Sequence, residues 1–230
     1  MEKIKATAVK SALISSQHIS SIPSNVEKSV SELRELAGYI QKIRLEDIAD
    51  HVVSDAKYCI LDSIGSAIGA ARYEEIPDIV QQVQSFSGVD GGNFASVWGH
   101  DQKSSIFQAI LLNGIMGHAL ELDDVHTQSK THIGAVVLPA VWTLADSIEA
   151  AGKELLEAVI AGYETMARIG KGFGVASHRK QGWHVTGTAG TFGAAAACAK
   201  LMKLSEEQII SALGMAGTQS SGLWAFLEDG

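Results

Sequence analysis

The stretch GTAGTFGAAAACAKLM, residues 187–202, constrains the fold more than any other. Glycine and alanine make up most of it, so it carries too little side-chain volume to build a core of its own. Alanine is the best helix former, and small side chains let neighbouring backbones come close. The segment therefore reads as a central buried helix, with bulkier helices bringing the core to it.

The rest of the chain supplies those helices. A first helix is expected over roughly Val30 to Ile43, and residues 1–28 read as a loosely ordered N-terminal extension. Leu45, Ile48, Val52, Ala56, Ile60, Ile64 and Ile68 recur at steps of three and four, the period of an amphipathic helix with one buried stripe. The glycine-rich run 88–105 is irregular, with a short strand expected at Ala95–Trp98. Ser104 or Ser105 then caps a helix in which Ala109, Asn113, Gly114 and Gly117 form a small-residue face. Interior glycine costs a helix about 1 kcal/mol, so that face predicts a closely packed neighbour. Further helices follow in GAVVLPAVWTLADSIEA and GKELLEAVIAGYETMARIG, and Ser205 with Gln208 forms a capping-box pattern ahead of the last one. With so little strand signal the fold class is all-α, and residues 29–230 form one helical unit.

Net charge −8, with no basic stripe, argues against a general nucleic-acid binder. No charge-free run of about 18 apolar residues is present to span a membrane. No apolar signal core follows the N-terminal lysines, and Glu2 and the lack of arginine there weaken a transit-peptide reading, so a cytoplasmic location is expected. Cys59 and Cys198 lie far apart in apolar helical patterns and read as small buried residues rather than a disulfide or a metal pair.

Two polar islands stand out against this apolar background. In LELDDVHTQSKTHIG, residues 120–134, Glu121, Asp123, Asp124, His126 and His132 lie close together. Asp123, Asp124, His126 and His132 are metal-ligand types, but their spacing matches no template such as HExxH, and no metal is expected. A solvated helix end is the plain alternative. Against it, acids at a helix C-terminus oppose the macrodipole, and His132 leads directly into an apolar helix. The second island, HRKQGWHVTGTAGTFG at 178–193, sets His178, Arg179, Lys180 and His184 ahead of a glycine- and threonine-rich helix start, where backbone N–H groups of Thr186, Gly187 and Thr188 suit an anion. Neither GxxxxGK[ST] nor GxGxxG is present, which favours a carboxylate over a nucleotide. Tight packing of a small-residue helix explains the same glycines without a ligand. Two histidines, a nearby carboxylate and an anion cradle are what proton abstraction beside a carboxylate needs.

NGIMGHALELDDVHTQSKTHIGAVVLPA, residues 113–140, resembles the NGxxxHxLDxDDxH…HPGxxVLPA signature of the MmgE/PrpD family. That family includes 2-methylcitrate dehydratases, cis-aconitate decarboxylases and an iminodisuccinate epimerase. GWHVTGTAGTFGAAAACAKLMKLSEEQI and ALGMAGTQSSGLWAFLEDG resemble its second and third signatures, and the likeness runs from about residue 30 to 230. It implies a large helical domain with a smaller α/β lid, usually in a homodimer, and cofactor-independent chemistry on small di- or tricarboxylates. His132 and His184 match the two active-site histidines, although Ile133 replaces the usual proline. Glu121 stands where the decarboxylases have aspartate, Asp123 and Asp124 match the pair that shapes the pocket, and His126 matches the histidine after it. The expected roles are His132, His184 and Glu121 in catalysis, with Asp123, Asp124, His126, Thr186, Gly187 and Thr188 binding substrate. The family pattern continues into a lysine segment and the lid, so the chain is expected to be the N-terminal part of the helical domain and inactive alone. The implied reaction is a dehydratase or decarboxylase step. An epimerase and a non-catalytic helical assembly module are the rivals.

Overall fold

Helix α8 (Val185–Leu201) occupies the centre, as its small side chains require. In the computed structural model, which describes residues 24–86, 94–225 and 227, it lies between two apolar clusters. On one side Ala189 and Ala197 join a core that includes Val137 and Leu138 of α5 (Gly134–Ser147) and Val159 and Met166 of α6 (Gly152–Gly172). On the other, Ala196 and Ala199 meet Ala37 and Ile40 of α1 (Ser24–Lys42) and Ile209 and Leu213 of α9 (Glu206–Thr218). The tightest approach is between α6 and α8. A Cβ on Gly162 would sit 2.6 Å from Val137 Cγ1 and 2.9 Å from Ala197 Cβ, and one on Gly193 would sit 2.7 Å from Met166 Cβ. Only hydrogen fits at that crossing.

The outer helices are α2 (Asp50–Ala70), α3 (Ile76–Ser85), α4 (Ile106–His118) and the short α7 (Val175–Lys180). Helix α1 begins at Ser24, inside the stretch expected to be an extension; residues 1–23 lie outside the described residues. A 3₁₀ turn at Leu45–Asp47 separates α1 from α2, which therefore starts later than its hydrophobic period suggests. Most of the expected stripe faces the core: Ala56 is buried, and Leu45, Ile48, Ile60 and Ile64 pack against the main cluster. Near the ends of α2 it departs, with Val52 and Ile68 36% and 51% exposed, while the small residues Ser63, Ser66, Ala67 and Ala70 are also buried.

The expected strand at Ala95–Trp98 is Phe94–Ser96 (β1), paired antiparallel with Lys103–Ser105 (β2), a partner the sequence reading did not anticipate. Buried Asn113 anchors this hairpin: its Oδ1 accepts from Trp98 N–H at 2.8 Å, and its Nδ2 donates to Ser96 O at 3.1 Å. Asn113 thus serves the hairpin, while its neighbour Gly114 faces Ala135 O and Pro139 on α5. Pro139 cannot donate to the carbonyl of residue 135, so a close-packed neighbour suits that part of α5. Ser105 caps α4 through Gln108, and Ser205 caps α9 through Gln208, both as expected. Cys59 and Cys198 are free but only half-buried. Among the described residues no helix is long and apolar enough to cross a membrane.

The α6–α8 crossing gives a direct test. Gly162→Ala should destabilise the fold by about 1–3 kcal/mol, since core overpacking forces backbone shifts. Gly65→Ala, at an exposed site on α2 where a Cβ meets nothing within 4 Å, should stabilise by about 0.5–1 kcal/mol through helix propensity. Urea unfolding of both variants checks the opposite signs.

Candidate active site

The site begins where α4 ends. His118 is the last residue of α4, and the chain turns at Glu121, whose φ of 51° lies in the left-handed region that non-glycine residues seldom occupy. The turn sends Asp123 inward. Its side chain is fully buried and takes one imidazole on each oxygen: His118 Nδ1 at 2.9 Å from Oδ1 and His132 Nδ1 at 3.1 Å from Oδ2. The two rings meet edge to face, with centroids 4.8 Å apart. Glu121 Oε1 lies 3.4 Å from His118 Nε2.

The electrostatics follow from this grip. The hydrogen bond to Asp123 raises the pKa of His118, against the opposing effect of burial. Burial alone would push Asp123 up, but the hydrogen bond and charge of His118, with the charge of His132, hold its carboxyl below the usual range. Asp123 is therefore ionised and can only accept, so both imidazoles present Nδ1–H to it and keep Nε2 for other partners. His184, at the N-terminal boundary of α8, is moved the other way. Burial lowers its pKa first, and the charges of His118 and His132 add to the effect against a smaller opposing pull from Glu121. The structure thus gathers His132, His184, Glu121 and Asp123, as the sequence suggested, and adds His118. That histidine stands inside the quoted signature, and its place five residues before Asp123, on the face where α4 ends, was the signal available.

Asp124 points elsewhere. Its Oδ1 accepts from Gly134 N–H at 2.8 Å, which caps the first turn of α5 two residues beyond His132. Burial raises its pKa, against the lowering effect of that N–H. A Cβ on Gly134 would lie 2.6 Å from this same oxygen and 2.5 Å from Ser63 Oγ, so the position admits only glycine. His126 is held in its own loop: its Nδ1 lies 2.7 Å from Ser129 Oγ, and its N–H donates to Thr131 O. Thr186 Oγ1 accepts from His132 N–H at 3.1 Å and so ties α8 to the histidine. Thr188 Oγ1 lies 2.8 Å from His178 Nε2 and 3.2 Å from His184 O. Gly187 lies under the backbone of Ser221, where an added Cβ would come 2.6 Å from the carbonyl oxygen. Thr186 thus borders the histidines, while Thr188 and Gly187 have protein neighbours where the sequence suggested an anion.

Among the described residues, His118, Asp123 and His132 form the one group of metal-ligand type, with atoms within 4.8 Å of one another. The Nδ1 to carboxylate distances are those of hydrogen bonds, and the arrangement is one for sharing protons. Asp124, His126 and His132, weighed from sequence as ligands, are not gathered. A separate cavity of about 550 Å³ lies between the ends of α1 and α8 and the start of α6. Three of its four lysines, Lys153, Lys200 and Lys203, are paired with Glu46, Glu157 and Glu154, and Lys42 and Arg44 also line it.

A pH experiment isolates the His118–Asp123 interaction. Because the folded pKa of His118 is raised, its contribution to stability is full below about pH 6.5 and is lost as pH rises through the raised value. The depressed pKa of Asp123 gives a contribution present above about pH 3.9 and lost on acidification. His118→Gln should therefore flatten the fall in melting temperature between about pH 6 and 8 relative to the parent. Equal slopes in the two proteins would show that the interaction contributes nothing.

Comparison with known proteins shows the family. Residues 34–230 match the MmgE/PrpD N-terminal domain. A cis-aconitate decarboxylase of Aspergillus terreus is 32% identical over 208 residues, covering 88% of this chain and 41% of its own length. A cis-aconitate decarboxylase-like protein of Aspergillus oryzae is 30% identical over 203 residues, covering 85% and 42%. The cis-aconitate decarboxylase of Mus musculus is 29% identical over 195 residues, covering 82% and 38%. The chain thus spans about two fifths of the length of the curated relatives it matches. With the helical architecture and the ordered signature residues in place, the chain belongs to the MmgE/PrpD family, whose N-terminal domain it carries.

Proposed function

We propose that the protein is a lyase acting on a small di- or tricarboxylate by proton transfer at the carbon alpha to a carboxylate. The observation that carries this reading is geometric: the buried carboxylate of Asp123 holds His118 and His132 by their Nδ1 atoms, so each ring keeps Nε2 free of that carboxylate for proton transfer. The hydrogen bond to Asp123 also raises the pKa of His118, whereas burial lowers that of His184. Groups whose environments push their pKa values apart divide the acid and base roles between them.

In this reading neutral His184 accepts the proton from carbon, and the C–H electron pair becomes an enediolate delocalised onto the adjacent carboxylate. The cationic character of His118, beside His132, stabilises that charge. In dehydration the C–O bond then breaks, and His132 delivers a proton to the departing hydroxyl, which leaves as water. In decarboxylation no proton is first taken from carbon: the C–C bond to one carboxylate breaks, carbon dioxide leaves, and the electron pair left on carbon takes a proton from a cationic histidine, which becomes neutral. The names of the relatives favour decarboxylation and make cis-aconitate the first substrate to try. Glu121, within reach of His118, would orient that ring and border the bound acid.

The test is turnover of a panel of di- and tricarboxylic acids, including cis-aconitate and 2-methylcitrate, in deuterated water with NMR detection, by a protein that carries this domain at the full length of its relatives. His132→Gln and His184→Gln should each lower turnover by about 10²–10⁴, the usual contribution of general acid–base catalysis. His132→Gln should also lower the melting temperature, because it removes a partner of the buried Asp123 carboxylate. Near-normal turnover in either variant removes that histidine from the chemistry. Deuterium incorporation without water or carbon dioxide loss would assign an epimerase.

A further inference from the structure

The chain after α9 returns to the start of α8 and is fastened there. Ser220 Oγ donates to Thr188 O at 2.7 Å, His184 N–H donates to Gly222 O at 3.0 Å, and Trp224 N–H donates to Gly182 O at 2.9 Å. Trp183 and Leu223 form an isolated antiparallel bridge. Gly222, at φ 147°, lies so close to α8 that an added Cβ would come 3.2 Å from both Gly187 Cα and His184 O. This strap sets the Trp224 indole edge-on to the His184 imidazole, with centroids 4.7 Å apart and an interplanar angle of 60°. Arg179 of α7 places its guanidinium 4.4 Å from the indole centroid. A cation stacked on an aromatic ring is attracted by the ring quadrupole, so Arg179 helps to hold the indole.

We propose that Trp224 is a positioning residue for His184: the strap clamps its indole against the imidazole, fixing the ring and keeping water from it. The inference rests on His184 belonging to the candidate site. Removing water disfavours the charged imidazole, and burial is the foremost cause of the lowered His184 pKa. The charged groups that act on His184 include His118 from α4, His132 ahead of α5 and Glu121 from the turn, and Arg179 faces the indole from α7. None of the first three touches the strap in the contacts that hold it, so changing Trp224 alters hydration of His184 while their charges stay in place.

The experiment is an NMR titration of the histidine rings in the protein, with no substrate present. Trp224→Ala should raise the His184 midpoint towards the ordinary value near 6.5, with the midpoint of His118 holding. Trp224→Phe, which keeps an aromatic ring, should stay near the parent. Gly222→Ala leaves the indole intact but pushes the strap from α8, and should raise the His184 midpoint as Trp224→Ala does. An unchanged His184 midpoint in folded Trp224→Ala, or in Gly222→Ala if the first variant does not fold, overturns the proposal. Because the readout is titration rather than turnover, this result is separable from the fate of the lyase reading, which His184→Gln tests.

Discussion

One buried carboxylate organises the candidate site. Asp123 has no exposed side-chain surface, and both of its oxygens are taken by imidazole nitrogens. A buried anion is tolerated only when it is paired and hydrogen-bonded. The two histidines meet that requirement and are in turn fixed in tautomer and direction. Losing either ring would leave a carboxylate oxygen short of its partner, and losing Asp123 would leave two imidazoles free to reorient. The chemistry proposed for the site therefore depends on an electrostatic constraint that the fold itself must satisfy.

The small-residue helices make this arrangement possible. His184 stands at the start of α8 and His132 just ahead of α5, and both helices pack with α6 around the crossing at Gly162 and Gly193. Thr186 joins the two ends directly by accepting from His132 N–H. The adjacent aspartates divide the work. Asp123 holds the imidazole of His132, while Asp124 holds the backbone N–H of Gly134 two residues on. The side chain and the main chain around His132 are thus fixed by separate carboxylates, which suits a group that must hold its place during proton transfer.

Much of this was legible in the sequence, and the failures have physical causes. The central place of α8 follows from its want of side-chain volume, and the caps at Ser105 and Ser205 follow from local hydrogen-bond chemistry, so both were readable. The α2 stripe was readable through Ala56, Ile60 and Ile64, but hydrophobic period tracks large side chains, so it missed buried Ser63 and Ala67 and carried on to Ile68, which is exposed. Strand β2 has the sequence Lys-Ser-Ser and carries no apolar signal; it pairs with β1, which Asn113 holds in place, and Gln84 of α3 donates to its Ser104 Oγ, so its place rests on tertiary contacts. At the site, residue types and spacing drew attention to the two polar islands, and the resemblance to the family signatures singled out His132 and His184 within them. Which of two neighbouring aspartates faces the histidines depends on the left-handed turn at Glu121, and no sequence pattern reports that. The strap over Gly187 is equally a long-range event, joining residues over thirty positions apart.

The central claim is that the fold drives its histidines in opposite directions through Asp123 and through burial. Long-range ¹H–¹⁵N NMR across a pH titration of the unmodified protein measures this directly, because it reports both midpoint and tautomer for each ring. The account predicts a midpoint for His118 above the ordinary value near 6.5, one for His184 below it, and an Nδ1–H tautomer for neutral His118 and His132. Coincident midpoints, the reverse order, or an Nε2–H tautomer at His132 would contradict it.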